Sequence, residues 1–272
     1  NFNQRMNKLT IFAAIIFVAL TIVSCSKSEN PVTPPPPDDN LINLGTQSGN
    51  GMTIVLYSDK NPFVGFNKLF LKVTDDASGN IVTNAIVTIM PLLNTGTTNY
   101  SAPFENPSGT SAADGKFSGA VVFIMPSSSG SWTIEVSITN LQNNSNTNVS
   151  FPVNVTEPLY PVVKQKTIQG TTYYVSMIEP SLPRVGINDM VIKVNRMESV
   201  TNYPNDSTYT FDMYPWMTSM GHGSPNNISP VYTGNGYYTG KVNFTMTGDW
   251  RINLIFNENA TPVDSVAFDL EF

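Results

Sequence analysis

One short stretch holds the densest donor chemistry in the chain: Met213-Tyr-Pro-Trp-Met-Thr-Ser-Met-Gly-His222-Gly-Ser-Pro225, which includes its only histidine. Thioether sulfurs and an imidazole this close together are soft ligands that suit Cu(I). Met213 is in phase with Tyr209 and Phe211 along an alternating run, so it is expected to face a core. Pro215 cannot donate to a strand ladder and should end that run. Met217, Met220 and His222 are then expected on a loop that can fold two sulfurs and one imidazole around a single ion. Trp216 would lie beside that ion or cover the end of the domain. Methionine is also an adaptable gap filler, so a metal-free reading of the same residues stands beside the metal reading.

The elements that must position this stretch read as β. Leu69-Leu71-Val73, Met190-Ile192-Val194, Tyr209-Phe211-Met213 and Val242-Phe244-Met246 alternate with polar residues, as half-buried strands do. Asp114-Gly115 and Asn235-Gly236 mark tight hairpins. No sustained helical stripe follows Val23.

The same blocks occur twice. Val64-Gly-Phe-Asn-Lys-Leu-Phe-Leu-Lys-Val73 matches Val185-Gly-Ile-Asn-Asp-Met-Val-Ile-Lys-Val194, and Asp114-Gly-Lys-Phe-Ser-Gly119 matches Asn235-Gly-Tyr-Tyr-Thr-Gly240. Met125 then falls on Met246, and Gly130-Ser-Trp-Thr-Ile-Glu-Val136 on Gly248-Asp-Trp-Arg-Ile-Asn-Leu254. Repetition in constant order points to tandem domains, placed at 41–157 and 160–272. About seven short strands per copy predict an immunoglobulin-like β-sandwich. In the first copy the block starting at Met90-Pro91 aligns with Met213 to Pro215, but the Met217, Met220 and His222 set has no counterpart. The fold therefore does not require those three residues.

The start of the chain reads as an address. Arg5 and Lys8 precede an apolar run, Leu9 to Val23, of signal-peptide length. It ends in Ile22-Val23-Ser24-Cys25, which resembles the lipobox of bacterial lipoproteins. That resemblance implies a signal peptide at 1–24 and a lipid on Cys25. Residues 25–40 form a Pro-rich linker, with Pro34 to Pro37 consecutive, and are expected to be an extended tether. Cys25 is the only cysteine, which excludes an intrachain disulfide and thiolate metal or redox sites. A formal net charge of −6, which grows once Arg5 and Lys8 are removed, argues against nucleic acid partners. Asp75-Asp76 lacks the spacing of a calcium loop and reads as a solvated turn.

Val-Gly-x-Asn with its strand, Met-Gly-His222-Gly, the Gly-x-Tyr/Phe-x-Gly hairpin, the later Met and Gly-x-Trp-x-Ile together resemble the YtkA-like domain, related to the FixH group. The resemblance spans most of the second copy and, more loosely, the first. It implies an extracytoplasmic β-sandwich, and FixH relatives are linked to assembly of copper-containing respiratory oxidases. The expectation is a lipid-anchored, extracytoplasmic protein of the bacterial cell envelope that is not an enzyme. Its partners would be the membrane, through Cys25, and copper or a copper-accepting protein. The alternative is a structural or interaction lipoprotein whose sandwiches bind protein or polysaccharide without metal.

Overall fold

The computed structural model describes residues Asn40–Phe272. The signal peptide, Cys25 and nearly all of the linker lie outside the described residues. No α-helix occurs among the described residues, and none is long and apolar enough to cross a membrane.

The chain is all-β, two immunoglobulin-like sandwiches in tandem. The first contains β1 (Ile42–Gly49), β2 (Met52–Ser58), β3 (Gly65–Asp75), β4 (Ala85–Asn94), β5 (Asn99–Tyr100), β6 (Phe104–Glu105), β7 (Phe117–Phe123), β8 (Ser131–Asn140) and β9 (Asn146–Val153). They form sheets β1-β2-β3-β7-β6 and β5-β4-β8-β9. The second contains β10 (Val163–Ile168), β11 (Thr171–Glu179), β12 (Gly186–Met197), β13 (Thr210–Met217), β14 (His222–Gly223), β15 (Ile228–Gly234), β16 (Tyr237–Phe244), β17 (Asp249–Glu258) and β18 (Thr261–Glu271). Its sheets, β10-β11-β12-β16-β15 and β14-β13-β17-β18, repeat the first pair strand for strand. Each copy thus exceeds the seven strands expected. Part of the excess is two-residue strands such as β5, β6 and β14, too short to show any alternation.

Alternation builds two separate cores. Met52, Ile54, Leu56, Val87, Ile89 and Trp132 are buried in the first; Phe211, Met213, Trp250, Ile252 and Leu254 are buried in the second. Complete burial of such side chains stabilises by roughly 1.5–3 kcal/mol each. The equivalent tryptophans are anchored alike. Trp132 donates its indole N–H to the Met125 carbonyl at 2.9 Å, and Trp250 donates to Met246 at 3.0 Å.

The repeated Val-Gly-x-Asn block has a structural cause. Buried Asn67 donates to the carbonyls of Phe63 (2.8 Å) and Gly65 (2.7 Å) and accepts from the Phe63 N–H (3.1 Å). Asn188 makes the same three bonds to Arg184 and Gly186, at 2.7–3.0 Å. Each amide thereby satisfies backbone groups where the chain enters β3 or β12 outside the ladder. The hairpins at Asp114-Gly115 and Asn235-Gly236 have positive φ at both residues (48° and 75°; 50° and 77°), as primed turns require. The edge strand β15 contains Pro230 and loses register with β16 twice, between Ile228 and Val231 and between Tyr232 and Gly234.

Polar contacts join the sandwiches. Ser101 N–H donates to the Val200 carbonyl at 2.8 Å. The Lys193 ammonium, on a side chain only 1% exposed, lies 2.6 Å from Glu105 Oε1 and donates to the Asn235 carbonyl at 2.7 Å. It also sits 4.2 Å from the centre of the Tyr237 ring. Burial pulls the Lys193 pKa below the usual lysine value, while Glu105 pulls it back up.

Candidate functional site

β13 does not stop at Pro215; it continues to Met217. Met213 N–H points away from β17 and is taken by Ser229 Oγ at 3.0 Å. Pro215, two residues on, presents its nitrogen to that same side, so the missing N–H costs the β13–β17 ladder nothing. The expectation that Met217 lies on a loop with Met220 and His222 is therefore corrected. Met217 is the last residue of β13 and is buried in the core. His222 opens β14 and is the register partner of Met217. Met220 stands on the turn between them and is 61% exposed.

Asp249 holds that turn. Its carboxylate accepts from Ser219 N–H at 3.0 Å and from the Ser219 hydroxyl, and its carbonyl accepts from Thr218 N–H at 3.2 Å. The bonds from Ser219 to the carboxylate, the hydroxyl first, lower the Asp249 pKa. Gly221 closes the turn with φ +68° and donates to the Met217 carbonyl at 2.9 Å.

Met217 lies in one row between His222 on β14 and Trp250 on β17. The His222 ring meets Trp250 edge-on, 79° between planes and 6.0 Å between centres. His222 Nδ1 is 2.9 Å from the Gly223 carbonyl. A carbonyl only accepts, so Nδ1 is the donor in this contact, and in the neutral tautomer Nε2 is the nitrogen free to bind. The Met217 methyl fills the space a side chain on Gly248 would occupy, since a Cβ there would fall 2.3 Å from it. A thioether and an imidazole thus stand side by side on paired strands at the rim of the core, and Met220 carries a second sulfur on the turn between them; these are donor types that soft cations favour. Among the described residues no three His, Cys, Asp or Glu side chains gather.

The first sandwich supplies the comparison position by position. Pro91 pairs with Ile134 and Pro215 with Ile252. That register equates Ile89 with Met213, Met90 with Tyr214, Leu92 with Trp216 and Leu93 with Met217. The assumed match of Met90 to Met213 is off by one, and Met90 is accordingly exposed while Met213 is buried. Ile89 N–H is taken by the Asn106 side chain at 2.7 Å, just as Met213 N–H is taken by Ser229. Leu93 lies between Tyr100 and Trp132 as Met217 lies between His222 and Trp250. The second copy has exchanged an aliphatic–phenol pair for a thioether–imidazole pair on an unchanged frame.

Trp216 is not next to the inward row. It faces outward with Tyr214, ring centres 5.8 Å apart and planes at 28°. The sequence suggests Trp216 beside the ion or over the end of the domain and gives Tyr214 no role, although strict alternation from Met213 puts both on the opposite face.

No family model matches the chain, and no curated protein matches it. Among solved structures the chain is similar to domains 5–6 of the S-layer protein SbsC, with 13% identity, a TM-score of 0.30, and coverage of 85% of this chain and 98% of that one. A longer SbsC fragment, domains 4–9, matches with 14% identity and a TM-score of 0.30, over 81% of this chain and 35% of the fragment. The Escherichia coli adhesin FdeC matches with 18% identity and a TM-score of 0.26, over 85% of this chain and 65% of that one. At these scores the likenesses carry no functional inference. The fold and the rim define a class: a tandem all-β sandwich protein whose second unit differs from the first at one rim.

Proposed function

We propose that the protein is a binding module of the bacterial cell envelope, lipid-anchored through Cys25 and related to YtkA-like domains, that takes up Cu(I) in its second sandwich. Met217 Sδ and His222 Nε2 are the paired donors, and Met220 closes over the ion from the turn. The observation that carries this reading is the cross-strand pairing of Met217 with His222, because strands, not loop flexibility, then set the two donors side by side. Trp250, edge-on to His222, limits water at the rim. The module buffers copper or passes it to an accepting protein.

The test is an anaerobic Cu(I) titration of the protein against a competing chelator. One equivalent bound by the wild type and lost in a Met217→Leu, Met220→Leu, His222→Ala variant supports the reading. Equal chelator competition by the two proteins ends it. Binding should also weaken in acid, because a proton competes with copper for His222 Nε2.

A further inference from the structure

The outward face of β13 carries a second arrangement that copper binding does not use. Tyr214 and Trp216 occupy alternate outward positions, and Tyr214 is 51% exposed. Their near-parallel rings form a short aromatic terrace. Apolar area of this kind yields roughly 25 cal/mol per Å² when covered, so adjacent rings left in water are a ready source of binding energy.

The terrace rests on its neighbours. Gly223, the β14 partner of Trp216, lies beside the Tyr214 side chain, where a Cβ would sit in ordinary contact with the Tyr214 hydroxyl (3.4 Å) and ring (3.5 Å) and nearer the Pro215 carbonyl (3.1 Å). Polar groups rim the rings. Arg251 lies opposite Trp216 and holds Asp269 through Nε (2.6 Å) and Nη2 (3.2 Å). Asn253 lies opposite Tyr214 and donates to the Tyr214 carbonyl at 3.0 Å. Asp212, the previous outward residue of β13, accepts from Asn257 at 2.9 Å. In the first sandwich the register puts Met90, Leu92, Thr133 and Pro152 where these aromatic, Arg and Asp residues stand. Neither the rings nor the charged rim is needed to make the fold.

We infer that this face binds a neutral polysaccharide, with sugar rings laid on Tyr214 and Trp216. A pyranose whose hydroxyls are equatorial has apolar C–H faces and a polar rim. The faces suit the terrace, and the hydroxyls suit Arg251, Asp269 and Asp212, which offer donors and acceptors side by side. Stacked nucleic acid bases would use the same rings, but their phosphates would meet Asp212 and Asp269 on a chain of net charge −6. Acidic polysaccharides face the same repulsion. A peptide anchor needs a pocket to fill, whereas these rings stand on an open sheet face.

The test is calorimetric titration of the full chain, in detergent micelles, with cellohexaose, a neutral β-linked glucose oligomer. Saturable heat is expected, with binding weakened about tenfold by Tyr214→Ala or Trp216→Ala and kept within about threefold by Tyr214→Phe. Thermal melts of each variant check folding. Should Trp216→Ala fail to fold, the more exposed Tyr214→Ala still decides. No saturable heat with the wild type, or unchanged affinity in Tyr214→Ala, overturns the inference. Tighter binding of sulfated dextran than of cellohexaose overturns the choice of a neutral ligand.

Discussion

Lys193 of the second sandwich and Glu105 of the first meet at 2.6 Å, with the ammonium almost wholly removed from water. A buried cation keeps its charge only while its partners stay. Glu105→Gln leaves it with a neutral amide, the Asn235 carbonyl and the Tyr237 ring. The loss is expected to be about 1–3 kcal/mol, below the value for a fully buried pair because part of Glu105 remains in water. Lys193→Met, which removes the charge itself, should cost less. Urea unfolding of both variants checks this; a Glu105→Gln protein as stable as the wild type would refute it.

The paired Asn67 and Asn188 braces yield a second expectation. Asn67→Ala and Asn188→Ala should each destabilise by about 2–4 kcal/mol, because buried backbone groups lose their partners. The two lie in separate cores, so their effects on the respective sandwiches should be additive. Native-state hydrogen exchange, which reads the two units separately, is the measurement. A loss that spreads equally over both units from either single variant would contradict it.

Met217 allows packing and metal binding to be separated. Leu93 fills the equivalent position in the first sandwich, so Met217→Leu should cost under about 1.5 kcal/mol. Met217→Ala should cost about 2–5 kcal/mol through the cavity it leaves. The Leu variant removes the sulfur from a nearly intact core. Undiminished Cu(I) affinity in that variant would take Met217 out of the ligand set.

Alkaline pH should weaken the second sandwich. Burial, with a side-chain hydrogen bond involving Tyr173 second, pushes the Tyr209 pKa up to about 12, against 10.0 for an unburied tyrosine. Burial also raises the pKa of Tyr238, whose hydroxyl donates to the Tyr209 carbonyl at 2.7 Å. A folded pKa above the unfolded one gives stability that is complete below pH 10.0 and is lost as the pH rises toward 12. Urea midpoints should therefore fall across that interval, and Tyr209→Phe should reduce the slope. A flat profile through pH 11 would show that these phenols are not protected.

Much of the fold was legible because alternation and repetition are local or countable signals. The strands around Val73, Val194 and Phe244, and the primed hairpins at Asp114 and Asn235, needed no tertiary information. The site was legible only as composition. Pro215 misled because its effect depends on which side its nitrogen faces, and only the β17 pairing decides that. Met217, Met220 and His222 are near one another in sequence, yet they separate into a core residue, a turn residue and a strand residue. Alternation from Met213 turns Tyr214 outward, but its neighbours Gly223 and Asn253 come from other strands that only the sheet brings beside it.

The second sandwich ends its larger sheet at β15, where Ile228, Val231 and Tyr232 are exposed. A neighbouring copy could extend that sheet only by meeting evenly spaced backbone donors and acceptors. Pro230 removes one donor, and the two register shifts displace others. A second copy then meets a poor template at this one edge, despite the apolar side chains exposed along it.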